Sequence, residues 1–185
     1  MNPVLKTFHR LIDEYEAAGI EYMVMGGWAV QVWGRPRPTF DVDFTISVTD
    51  EDLIKFLHSL AAKEFIVAEE FLRGFKDNLS GFAKIQVSIF EFPDPIRVDL
   101  FLARSEFQMT AFKRRMNMTL FGRQVLVISP EDLVLHKLLA KRHKDMAAVE
   151  EIFDIQRGTG KLDIHYMKLW ARRLSVYEDL EPFLS

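Results

Sequence analysis

No cysteine occurs among the 185 residues, so disulfides, thiolate zinc centres and cysteine nucleophiles are excluded. Any metal must be held by oxygen or imidazole. Long apolar runs are missing too, and no stretch reaches the roughly 18 hydrophobic residues that a membrane span needs. The opening segment MNPVLKTFHRLIDEYEAAG is amphipathic and broken by acids, without the basic-then-apolar order of a secretory signal. Neither a span nor a leader is supported, no membrane partner is expected, and the chain reads as cytoplasmic. Excess positive charge is also lacking. A formal net charge of −3 argues against a protein that coats nucleic acid nonspecifically, although a local basic patch can still meet RNA or a triphosphate. Low-complexity segments and internal repeats are absent. What remains is a chain with 49% hydrophobic residues, ample for a core in one large domain or a domain with a helical appendage.

Along that chain, Leu5, Phe8, Leu11, Ile12 and Tyr15 recur at helical spacing before Gly19, which predicts a glycine-capped helix over 3–18. IEYMVM (20–25) reads as a short buried strand running into Gly26 and Gly27. WAVQVW then reads as a short helix, stopped by Gly34 and a proline-rich loop. A second amphipathic helix, capped by Thr49 or Asp50, carries Leu53, Phe56, Leu57 and Leu60. EFIVAEE reads as a strand and RGFKDNLSG as a loop. Two β-rich runs, 82–90 and 96–102, are joined by the turn EFPDP. A helix over SEFQMTAFKRRM and a hairpin around Gly122 follow. SPED then opens another helix, with Ser129 as N-cap and Pro130 at the first helical position. The remainder is helical, broken by RGTGK (157–161). The expected fold is α/β (α+β): a mixed sheet flanked by helices over 1–128, then a helical part over 129–185.

The segment RPRPTFDVDFTI (35–46) carries the chemistry. Strand side chains alternate, so Asp41 and Asp43 share one face while Phe40, Val42, Phe44 and Ile46 take the other. In IRVDLFL, Asp99 likewise lies opposite Val98, Leu100 and Leu102. Residues i and i+2 are roughly 6.5–7 Å apart on a strand and neighbouring strands about 4.8 Å, so three carboxylates on two strands can converge. Without a cation they would repel and one would take a proton. Oxygen ligands of this kind suit Mg²⁺, with Mn²⁺ as substitute, and two such ions serve in-line displacement at phosphorus. Gly26 and Gly27, between strand and helix, let backbone approach a ligand and offer free N–H groups to an anion.

GGWAVQVWGRPRPTFDVDF, with the later RVDLF, resembles the signature of the DNA polymerase β-type nucleotidyltransferase superfamily. The Arg-x-Thr-x-Asp-x-Asp version, together with SPEDLVLHKLLAKRHKD, is similar to the minimal, abortive-infection toxin-type and antibiotic-type members; the likeness covers roughly residues 20–150. It implies that Asp41 and Asp43 bind both Mg²⁺ ions, and that Asp99 completes the metal site and serves as base. It implies too that Gly26 and Gly27 cradle the triphosphate, with Arg37, Thr39 and Lys137 as further nucleotide contacts and Asp145 orienting Lys137. Gly27 stands where many relatives have serine, and Ala148 where many toxin-type relatives have aspartate, which leaves the part of Asp145 open.

The activity this implies is Mg²⁺-dependent transfer of a nucleoside monophosphate from an NTP, such as ATP, to a hydroxyl, releasing pyrophosphate. The acceptor stays open among an RNA end such as tRNA, a protein side chain and a small molecule such as an antibiotic, in a resistance or toxin–antitoxin setting with an antitoxin partner. The alternatives are a non-catalytic nucleotide-binding or interaction protein of the same fold and, behind it, a metal-dependent phosphodiesterase. Arg35 and Arg37 read either as loop charges or as contacts to phosphate or acceptor. The cluster FKRR (112–115) and the histidines read as structural or exposed, and Trp28 and Trp33 as core beneath the glycine turn.

Overall fold

The computed structural model describes residues 2–91 and 94–184. In chain order the elements are α1 (Pro3–Ala18), β1 (Glu21–Val24), α2 (Gly26–Trp33), β2 (Val42–Ser47), α3 (Asp50–Ala61), β3 (Phe65–Val67), α4 (Glu69–Leu72), β4 (Asp77–Leu79) and β5 (Phe82–Glu91). They continue with β6 (Asp94–Leu102), α5 (Glu106–Lys113), β7 (Met116–Leu120), β8 (Arg123–Val127), α6 (Pro130–Ala140), α7 (His143–Arg157), α8 (Ile164–Arg173) and α9 (Tyr177–Leu180). The strands form one mixed sheet in the order β3-β5-β6-β2-β1-β8-β7, with β4 paired to β5. This is the expected mixed α/β body with a helical C-terminal part.

One face of the sheet is closed by aromatic packing. Phe44 of β2 lies 5.5 Å from Phe8 and 5.1 Å from Tyr15, both on α1, and Tyr15 lies 5.4 Å from Phe56 on α3. Burying each such side chain is worth roughly 1.5–3 kcal/mol, which is why the apolar stripes of α1 and α3 settle there. Helix ends follow local chemistry. Gly19 takes φ 66° at the end of α1, and Ser129 accepts from the Asp132 N–H at the start of α6. Helix α6 is buried over residues 130–138, including Glu131, Asp132 and Lys137. A helix wrapped on all sides must pair its charges, and Asp132 does so with Arg114 and Tyr166.

Several expectations need correction. Phe40 precedes the strand, which starts at Val42, and is 76% exposed instead of joining Val42, Phe44 and Ile46 in the core. The strand in EFIVAEE is confined to Phe65–Val67 and passes into the short α4. Part of the expected loop RGFKDNLSG is β4, with Asp77 facing Lys84 in register. Of the turn between β5 and β6, Phe92 and Pro93 lie outside the described residues. Among the described residues no helix is long and apolar enough to cross a membrane.

Candidate active site

The acidic strand is positioned by register. Strands β2 and β6 run parallel with Asp43 opposite Asp99, so the two side chains share a face on adjacent strands. Asp41 lies in the bend just before β2. Its backbone carbonyl is clasped by the Trp28 indole N–H at 3.1 Å and the Thr39 hydroxyl at 3.3 Å, so the buried tryptophan positions the loop that carries the acid. Trp33, buried as expected, donates to the Ile128 carbonyl at 2.7 Å.

Gly26 stands at φ 59°, and a Cβ there would collide with the Asp43 carboxylate. The Gly27 backbone amide favours the charged form of the Asp43 carboxylate. A Cβ at 27 would lie 2.5 Å from Thr39 Oγ1, so the space where a serine side chain would begin is taken by a threonine hydroxyl from the neighbouring loop. Burial first, then Asp99 and Asp41, push the Asp43 carboxyl up to about 6, against the opposing pull of the Gly27 N–H and Lys137.

Asp99, 3% exposed, has two cationic partners that sequence reasoning missed. Buried Lys84 reaches Oδ1 at 3.2 Å, and Arg97 reaches Oδ2 at 3.0 Å. Arg97 was legible in principle, two residues before Asp99 on one strand face. Lys84 reaches Asp99 only through the β5–β6 register. The repulsion expected among three bare carboxylates is therefore partly offset by the protein itself. Among the described residues no three histidine, aspartate or glutamate side chains gather closely enough to hold an ion as they stand.

The roof is cationic. Lys137 of α6 meets Asp145 of α7 at 3.1 Å, and Arg142 grips the other oxygen of Asp145 at 2.6 Å. Burial lowers the Lys137 ammonium from its ordinary value, with Asp145 opposing. Asp145 is thus an ion-pair partner of Lys137. Together these parts line a cavity of about 340 Å³ between the sheet and α5, α6 and α7. Gly26, Gly27, Arg37, Thr39, Asp41, Asp43, Asp99 and Lys137 all border it. An open cleft of about 810 Å³ adjoins its mouth and shares Arg37, Thr39, Asp41 and Arg97. Arg37 reaches Glu151 at 3.9 Å and Arg35 reaches Asp154 at 3.8 Å, so each leans toward α7.

The basic cluster over 112–115 does not line the cavity. Arg114 pairs with Glu131 and Asp132 and lies 3.8 Å from the Tyr166 ring centroid, while Arg115 pairs with Glu21. His136 is buried and borders the cavity, whereas His143 is exposed on a different helix, because Lys141 turns the chain with φ 51°.

Hard oxygen donors suit a divalent cation, and a cation beside the raised Asp43 carboxyl would relieve the repulsion it feels from Asp99 and Asp41. Asp41 and Asp43 both border the cavity and offer such oxygens, while Asp99 is already engaged by Lys84 and Arg97.

No protein-family model matches the chain, and no curated protein matches it. Solved structures do. An antigenic nucleotidyltransferase-like protein from Paracoccidioides brasiliensis is similar at 17% identity and TM-score 0.56, over 98% of this chain and 91% of that one. The lincosamide antibiotic adenylyltransferase LnuA, lincomycin-bound, matches at 16% identity and TM-score 0.58, over 84% of this chain and 98% of its own. ANT(2'')-Ia in complex with adenylyl-2''-tobramycin matches at 13% identity and TM-score 0.58, over 94% and 98%. The architecture shared with these proteins is the nucleotidyltransferase fold.

Proposed function

We propose that this chain is a nucleotidyltransferase that moves a nucleoside monophosphate from an NTP to a hydroxyl of a small molecule. The observation that carries the reading is the side-by-side placement of Asp43 and Asp99 next to the Gly26–Gly27 helix start. In this reading the α2 amides and Lys137, Arg37 and Arg142 bind the triphosphate, and Thr39 supplies the hydroxyl that residue 27 lacks. Asp41, Asp43 and Asp99 are the residues that would hold Mg²⁺, which would supply charge neutralisation at the phosphate oxygens.

The acceptor oxygen attacks the α-phosphorus, the bond to the bridging oxygen of the β-phosphate breaks, and pyrophosphate leaves with that electron pair. Asp99 takes the hydroxyl proton. Lys84 and Arg97 hold its carboxylate in position, so positioning and electrostatics supply the catalysis without a covalent intermediate. The open cleft beside Asp41 and Arg97 is the route for the acceptor. LnuA, by its name a lincosamide antibiotic adenylyltransferase, and the ANT(2'')-Ia complex with adenylyl-2''-tobramycin support a small-molecule acceptor and ATP as donor. Nothing in this reading calls for an antitoxin partner.

A non-catalytic nucleotide-binding protein is the second reading, favoured by one observation: Lys84 and Arg97 already offset Asp99. Transfer of label decides between them. With Mg²⁺, each α-labelled NTP and separate small-molecule, RNA and protein fractions, label should enter the small-molecule fraction with release of pyrophosphate. Asp99→Asn should stop transfer while NTP binding persists. Binding without pyrophosphate release in any fraction would favour the second reading, and label in RNA or protein would replace the acceptor.

A further inference from the structure

The inner end of the cavity differs from its mouth. Two residues beyond Asp43 and Asp99, Thr45 and Phe101 face each other in register and form its floor. His136 and Phe82 stand against it with ring centroids 5.1 Å apart and planes tilted by 30°. Phe107 supports His136 from a second direction at 4.7 Å. The imidazole is therefore oriented by two aromatic neighbours.

Its hydrogen bonding fixes the tautomer. Nδ1 lies 2.9 Å from the Asp132 carbonyl oxygen, which can only accept, so Nδ1 carries the proton and Nε2 the lone pair. Burial lowers the pKa of His136, which keeps the ring neutral. Beside it Thr45 is 2% exposed, and its hydroxyl oxygen is buried without a hydrogen-bond partner. An unpaired buried hydroxyl weakens a folded chain, and valine would have the same shape without that cost. A hydrogen-bonding group kept unpaired in a cavity wall points to a ligand that pairs it.

We propose that the inner chamber binds the nucleobase of the NTP, with His136 Nε2 accepting from a base N–H and the Thr45 hydroxyl meeting a neighbouring polar atom of the same edge. The proposal rests on the nucleotidyltransferase reading of the cavity. Aromatic walls with a few edge-reading polar groups are the general chemistry of base recognition. The chamber lies under α5 and α6, whereas the acceptor has the open cleft on the Asp41 side.

The test compares ATP, CTP, GTP and UTP with inorganic tripolyphosphate, each with Mg²⁺, by calorimetric titration of the wild type, Thr45→Val and His136→Phe. In the wild type the preferred NTP should bind at least about tenfold tighter than tripolyphosphate, the worth of one or two buried hydrogen bonds plus ring contacts. Thr45→Val should lose roughly fivefold or more of NTP affinity, keep tripolyphosphate affinity, and melt at a higher temperature than wild type when free. His136→Phe should show the same selective loss, and Thr45→Val carries the test if that variant folds poorly. Equal wild-type affinity for NTP and tripolyphosphate overturns the inference alone, as does a Thr45→Val loss shared by both ligands or absent from both. A wild type that binds neither overturns the nucleotide reading of the cavity and this inference with it.

Discussion

Asp43 is held against its ordinary ionisation by the cavity around it. Its carboxyl is pushed from 3.8 up to about 6 by burial, then by Asp99 and Asp41, so the folded chain holds this proton more tightly than the unfolded chain does. Stability from this group therefore rises as pH falls from about 6 toward 3.8, and at neutral pH the ionised form is a net cost. A gap of roughly two units sets an upper bound of about 3 kcal/mol. Asp43→Asn should melt above wild type at pH 7.5, with the difference vanishing by about pH 4. Thermal melts of both proteins across that range check this, and a variant less stable than wild type at pH 7.5 would refute it. The glycines make a second residue-scale prediction. Gly27→Ser should weaken NTP-induced stabilisation, because its Cβ meets Thr39 Oγ1 at 2.5 Å, and Thr39→Ala in the same chain should restore it by opening that space. A neutral Gly27→Ser would show that the loop yields freely.

At the scale of elements, the joint between α6 and α7 ties the roof together. Asp145→Ala removes the carboxylate from buried Lys137 and from Arg142 at once, and leaving a buried cation unpaired costs about 3–5 kcal/mol. Lys137→Met leaves Asp145 its Arg142 partner, so urea unfolding should show a much smaller loss while nucleotide affinity falls. Equal stability losses in the two variants would contradict this division. This joint also marks how far the sequence could be read. Ser129, Pro130 and the apolar period located α6, and Gly19 located the end of α1, because caps and periodicity are local physics. The glycine pair and three aspartates were legible by spacing, and all five border the cavity. What escaped depended on distant strands. Lys84 sits in FAKIQVSIF like any strand lysine until register brings it to Asp99, and β4 looked like a loop because pairing with β5, not composition, makes it a strand. Phe40 was misplaced because alternation was extended past the point where the strand begins.

For the whole molecule, the cavity matters because it lies between parts of the chain far apart in sequence. Its floor comes from β2 and β6, and its roof from α5, α6 and α7. Near the mouth, α2 and the loop after it are tied to α7 by Arg37 with Glu151, Arg35 with Asp154, and Gln156 donating to the Trp33 carbonyl at 2.8 Å. A triphosphate held by α2 on one side and Lys137 on the other would act as a further tie between the layers. Ligand at a hundredfold excess over Kd stabilises the folded chain by about 2.7 kcal/mol, and that gain should appear where the ligand bridges. Hydrogen exchange with saturating Mg²⁺ and NTP should therefore slow in β2 and β6 and in α6 and α7 together. Helix α3, packed behind the opposite face of the sheet, should change only as much as global unfolding requires. Protection of the roof without the floor would mean that the ligand binds the basic helices alone, and protection of the floor without the roof would remove Lys137 from phosphate binding.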